Sequence, residues 1–127
     1  MLLKRPGYVA IAILVALQTA GCLSVSELRQ KIPIREFSAA TAPSALSDCI
    51  LAEMTALDRD NTYRRTFTGD TIHITADQGD PRLALLDIAI SSAGQGSHVE
   101  LRARGNIWGS TNEPDETATI IVGCASH

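Results

Sequence analysis

The chain has 127 residues, of which 45% are hydrophobic and 20% charged, and its formal net charge is −3. This length accommodates one ordinary domain. The acidic balance argues against nucleic acid as a partner, because nucleic-acid-binding domains need a basic patch or stripe. Two tyrosines, two phenylalanines and one tryptophan are few for stacking platforms that would bind sugars or bases.

The first residues have the pattern of an export signal. Lys4 and Arg5 precede an uncharged apolar run over 7–17, and small residues follow at 19–21. A basic start, a short apolar core and a small-residue cleavage site define a secretory signal peptide. The apolar run is too short to span a bilayer, which needs about 20 residues. We therefore predict a signal peptide over 1–21.

The end of this signal, Thr19-Ala20-Gly21-Cys22, resembles the lipobox of bacterial lipoproteins, although Thr19 stands where the family prefers leucine. The resemblance implies cleavage before Cys22 and a multiply acylated cysteine, which anchors stably where one acyl chain binds only marginally. Leu23 follows instead of the aspartate that commonly retains lipoproteins in the inner membrane, so it favours the outer membrane, facing the periplasm. The alternative is an ordinary signal peptide that leaves Cys22 as a free thiol.

Cleavage would remove Lys4 and Arg5, leaving nine of the 11 basic residues against 14 acidic residues, a net charge of −5. The two other cysteines, Cys49 and Cys124, form an even pair, which in an exported domain predicts a disulfide; two buried free thiols are the alternative. We expect a lipidated N-terminus and tether over 22–42 and one small domain over 43–127.

The predicted elements of this domain begin with a helix over 45–57, where residues at helical spacing form a stripe that is apolar except for Glu53. Upstream, Pro33 limits the stretch 32–37 to an edge strand or none. From Thr62 the periodicity changes to two, and it predicts five short strands: 62–68, 71–75, 85–90, 98–104 and 118–124. The expected fold is α+β, with the helix packed on an antiparallel meander sheet that is solvated on its other face. The disulfide would tie this helix to the last strand.

No catalytic or phosphate-binding motif occurs, so we predict that the protein is not an enzyme and needs no cofactor. The histidines lack ligand spacing with another histidine or cysteine, so no metal site is predicted, and His73 is expected to be solvated. Arg102 and Arg104 share one predicted strand face, where they either form a binding patch or pair with Glu100 and Asp87. Trp108 is either an interaction anchor or a plug for the open end of the sheet.

Two functions remain open. The first is a structural or protein-interaction module of the cell envelope, which meets an unidentified envelope protein through the solvated sheet face or the Trp108 loop. The second is a small-ligand or peptide binding module with a groove between helix and sheet. The nearly aliphatic inward faces of the strands favour the first hypothesis, because a ligand groove would show polar residues there.

Overall fold

The computed structural model describes residues 24–57, 61–77, 79, 84–104 and 113–126. These residues form three helices and five strands. In chain order they are α1 (Val25–Arg29), β1 (Arg35–Ala39), α2 (Pro43–Leu57), β2 (Thr62–Thr68), β3 (Thr71–Asp77), β4 (Ala84–Ala93), β5 (Gly96–Ala103) and α3 (Glu113–Ala125). The fold is therefore α+β, as the sequence predicts.

The five strands form one antiparallel sheet in the order β1-β5-β4-β3-β2. Strands β2 to β5 are a meander, as expected from the hairpin spacing of their turns. β1 then adds to the far side of β5, where Phe37 lies opposite Val99. Close approach of these two strands requires glycine at position 96, since a Cβ there would lie 2.0 Å from the carbonyl oxygen of Ala39.

The face of the sheet that we call the inner face carries the main core. Its strand positions are apolar and almost fully buried: Ile72, Ile74, Ala76, Leu86, Ile88, Ile90, Val99 and Leu101. α2 covers this face with Leu46, Ile50 and Met54. Leu57, which the helical stripe was expected to bury, is 54% exposed at the end of α2.

The strand predicted over 118–124 is wrong, because these residues belong to α3. Its buried residues Ala118, Ile121 and Cys124 recur at the three-residue spacing of one helix face, whereas Val122 is 52% exposed. Five strands spaced about 4.8 Å apart make a sheet roughly 20 Å wide, and one helix covers only about 10 Å. A second helix is therefore needed on the inner face, and β1 supplies the fifth strand instead.

The opposite, outer face of the sheet is partly covered as well, which the sequence did not predict. α1 packs on β4 and β5, and Leu28 is fully buried there. Ser24 caps this helix by accepting a hydrogen bond from the Glu27 N–H. The segment predicted as a tether over 22–42 thus contains α1, which packs on the sheet, and β1, which is an edge strand of the sheet.

Candidate functional site

Of the features predicted from the sequence, the signal peptide over 1–21, Cys22 and Trp108 lie outside the described residues. Cys49 and Cys124 form the expected disulfide, with a Cα–Cα distance of 5.8 Å. It joins α2 to α3, so the expectation that it would tie the helix to a strand is wrong. The bond closes a loop of 75 residues across the layer that covers the inner face.

The outer face holds a cluster of polar side chains beneath α1, which we call the Asp87 cluster. Asp87 is fully buried at the centre of β4. It accepts hydrogen bonds from Arg29 Nε at 3.1 Å and from the Thr75 hydroxyl at 2.9 Å. His73 Nδ1 lies 3.0 Å from the second carboxylate oxygen. The prediction that His73 is solvated is wrong, because its exposed fraction is only 8%.

The charge on Asp87 is stabilised by its neighbours. Burial by itself would raise the pKa of this carboxyl, but the His73 hydrogen bond and charge, the Thr75 hydroxyl and the Arg29 guanidinium outweigh it and lower the pKa. Paired Asp and His side chains can orient a general base. Here, however, the Thr75 hydroxyl donates to the carboxylate, and Arg29 comes from the covering helix, so the cluster fastens α1 to the sheet.

The arginines expected either to form a patch or to pair with neighbouring carboxylates make separate contacts, and Arg102 makes the expected pair with Glu100. Arg102 donates to Glu100 at 2.7 Å and to the carbonyl oxygen of Lys31 at 2.6 Å, and its side chain is only 13% exposed. The half-buried Arg104 donates its backbone N–H to the carbonyl of Leu85.

The two arginines of β2 also form ion pairs. Arg64 pairs with the buried Asp77 at 2.9 Å on the outer face. Arg65, on the inner side, pairs with Asp48 of α2.

Glu36, His98 and Glu100 form a second outer-face cluster, which we call the edge triad. Strand register places Glu36 of β1 directly opposite Glu100 of β5, with His98 two residues along β5. One ligand atom from each side chain lies within 4.8 Å of the other two. The sequence could not reveal this grouping, because Glu36 and Glu100 are distant along the chain and the pattern over 32–37 predicts at most an edge strand without a partner.

An open groove of about 370 Å³ runs between β1 and α3 on the inner side of the sheet. Phe37, Ala118 and Val122 line it with apolar surface, and the ion pair between Arg35 and Asp115, at 2.6 Å, lies at its wall. Arg35 and Phe37 both point inward from β1, since they pair with the inward-facing Leu101 and Val99. The groove thus has an apolar lining, and Arg35 is a polar, inward-facing residue of the kind that a ligand groove is expected to show.

No protein-family model matches this chain, and neither a curated protein nor a solved structure shows significant similarity to it. Among the described residues, no helix has both the length and the apolar character needed to cross a membrane. Three features of the described residues therefore bear on function: the Asp87 cluster, the edge triad and the groove between β1 and α3.

Proposed function

We propose that this chain is an exported lipoprotein whose acylated Cys22 anchors a disulfide-linked α+β domain to a membrane, where the domain binds another envelope protein. The observation that carries the proposal is the bond between Cys49 and Cys124. Structural disulfides form and persist in oxidising compartments and are rare in the cytosol. With these two cysteines bonded, Cys22 is the one cysteine left in the chain, and it stands at the lipobox-like site.

The short connection between anchor and domain sets the orientation of this proposed lipoprotein. Only Leu23 separates Cys22 from Ser24, the cap of α1. α1 is held on the outer face of the sheet by the buried Leu28 and by the contact between Arg29 and Asp87. An anchor at Cys22 would hold the end of α1 beside the bilayer, leaving the layer formed by α2 and α3 available to partners.

The partner would contribute an extended segment to the groove between β1 and α3. In the described part of the sheet, β1 is a terminal strand with β5 on one side only, so its other edge can accept backbone hydrogen bonds. A strand added there gains affinity from these bonds and places alternate side chains into a neighbouring groove. Phe37 and Val122 offer the apolar contact that such side chains need.

This geometry favours a protein segment over a small ligand. Small-ligand sites enclose most of their ligand, whereas this groove is open along its length and Val122 is 52% exposed. Among the described residues, every buried side-chain nitrogen or oxygen has a hydrogen-bond partner. The protein-interaction hypothesis therefore has better support than the small-ligand alternative. The interaction would occur through an extended segment of the partner that binds in the groove between β1 and α3.

Site-specific photo-crosslinking in intact cells tests the groove. A photoreactive residue at Val122 of α3 is compared with one at Ala56, an exposed position of α2. We expect a discrete crosslinked product from position 122 and none from position 56. Phe37→Ala in the same chain should reduce the product at least several-fold. Equal crosslinking at both positions, or none at position 122, would contradict the groove as the binding surface.

The anchor is tested by the intact mass of the membrane-extracted protein. The expected mass is that of residues 22–127 plus acyl chains, with a gain of two hydrogens after reduction of the disulfide. Cys22→Ser should release the domain from the membrane fraction. An unacylated mass that begins at residue 22 would overturn the lipoprotein assignment while leaving the groove open to the crosslinking test.

A further inference from the structure

The edge triad brings together three side chains that a simple solvated sheet face would not favour. Glu36 and Glu100 stand directly opposite each other on β1 and β5, and like charges in this position destabilise a strand pair. His98 Nε2 lies 3.2 Å from Glu36 and 3.9 Å from Glu100. A cation between the two carboxylates would relieve their repulsion.

We propose that Glu36, His98 and Glu100 form a binding site for a divalent metal ion and that zinc is the ion that fits best. Zinc binds imidazole nitrogen and carboxylate oxygen at about 2.0–2.2 Å, so tetrahedral ligand atoms lie about 3.4 Å apart. His98 Nε2 lies 3.2 Å from Glu36, close to this value, and 3.9 Å from Glu100, and the three ligand atoms all lie within 4.8 Å of one another. Small shifts of exposed side chains would complete the geometry, since the Glu36 side chain is 61% exposed.

The donor set separates zinc from the common hard cations. Calcium takes six to eight oxygen ligands, and magnesium keeps near-ideal octahedral oxygen coordination. A triad of one nitrogen donor and two carboxylates instead suits zinc or a neighbouring transition metal. The three protein ligands leave a position for water, which the open side of the triad can supply.

Arg102 supports one ligand of this site without occupying all of it. It donates to Oε2 of Glu100 at 2.7 Å, while Oε1 of the same carboxylate is the atom nearest His98. Its Nε also donates to the Lys31 carbonyl. Partners of this kind orient metal ligands and hold them in place. Arg102 is therefore a positioning residue, and the ion would clamp β1 to β5.

The site is independent of the proposed partner groove. The edge triad lies on the outer face, whereas the groove residues Phe37 and Val122 lie on the inner side. A failure of crosslinking at Val122 would leave the metal proposal intact, and a failure to bind zinc would leave the groove proposal intact.

Isothermal titration of the purified full-length protein, with its disulfide intact, with zinc chloride tests the site. We expect one ion per chain, and Glu36→Gln or His98→Ala should weaken binding at least tenfold, since loss of even an outer-shell partner costs about 10–100-fold. Glu53→Gln, an exposed carboxylate on α2, and His127→Ala are the matched controls and should bind like the parent. Equal affinity in the parent and in Glu36→Gln, or no saturable binding by the parent, would overturn the proposal.

A second measurement covers the case in which His98→Ala is poorly folded. A bound ion stabilises the folded state by mass action, so zinc should raise the melting temperature of the parent and of Glu53→Gln. Glu36→Gln should show little or no rise, although its melting temperature without metal should be equal or higher, because the opposed charges are gone. The same zinc-induced rise in all three proteins would contradict the site.

Discussion

The two faces of the sheet are both buried near the middle, but by different chemistry. On the inner face, Ile74 and Ile88 pair across β3 and β4 in the apolar core beneath α2. On the outer face, the same two strands contribute His73 and Asp87, which are also buried but interact through charge and hydrogen bonds. When a side chain of an apolar core is truncated, the loss of stability grows with the volume of the cavity left behind. When one partner of a buried ion pair is removed, the loss of stability comes from the buried charge that remains unpaired.

The largest expected effect concerns the link between the two helices on the inner side. Replacing both cysteines, Cys49→Ser with Cys124→Ser, releases a loop of 75 residues. The chain-entropy model gives a loss of about 4 kcal/mol for a loop of this length. Denaturant unfolding of the double variant beside the oxidised parent measures the loss. Unfolding at the same denaturant concentration would show that helix packing alone holds this layer.

Adjacent residues of β4 allow a direct comparison of the two faces. Ile88→Ala leaves a cavity on the inner face and should lower the free energy of unfolding by about 3 kcal/mol. Asp87→Ala leaves Arg29 and His73 without their carboxylate and should cost a similar amount, about 3 kcal/mol.

The two variants should differ in how α1 responds. Hydrogen exchange should show α1 opening in Asp87→Ala, because Arg29 loses its contact, and should leave α1 protected in Ile88→Ala. Equal protection of α1 in both variants would contradict the assignment of the Asp87 cluster as the fastening of this helix.

Acid should weaken the outer face selectively. The folded-state pKa of Asp87 lies below its ordinary value of 3.8, so the ionised carboxylate contributes stability above that value. This contribution is lost as the pH falls through the folded pKa. The parent should therefore lose stability more steeply than Asp87→Asn as the pH falls below about 4. Parallel stability curves for the two proteins over this range would refute the claim.

The smallest expected effect concerns the exposed rim of the inner side. Arg65 pairs with Asp48, whose side chain is 63% exposed. Exposed ion pairs contribute about 0.2–1 kcal/mol, so Arg65→Ala should change the unfolding free energy by less than about 1 kcal/mol. A loss close to that of Asp87→Ala would mean that Arg65 has a second role in joining β2 to α2.

The sequence predicted the inner face well and the outer face poorly, and one physical reason accounts for both. The alternation of apolar and polar residues in β3, β4 and β5 indicates directly which side chains face the aliphatic core. The outer face depends on α1, a five-residue helix that is too short to produce a clear periodic signal. Without that helix, the alternation of His73 with Ile72 and Ile74 is typical of a solvated side chain.

The C-terminal element illustrates a different limit. Residues 117–124 are rich in threonine, isoleucine and valine, and their apolar positions fit a period of two as well as they fit a helix. Short apolar runs of this kind are ambiguous from periodicity alone. The width of the sheet resolves the ambiguity, but that width depends on β1, which the sequence left as an edge strand or none. The edge triad was missed for the same reason, since it needs β1 beside β5.

The pairing of β1 with β5 also governs when the fold can be completed. β1 ends at Ala39, while the residues it pairs with, 97–101, are made almost 60 positions later. At about 5–20 residues per second, ribosomal synthesis leaves the first strand without its neighbour for several seconds. The meander of β2 to β5 can assemble from local hairpins, but β1 can pair only after β5 has been synthesised. β1 of the newborn chain therefore has no partner strand until β5 has been made.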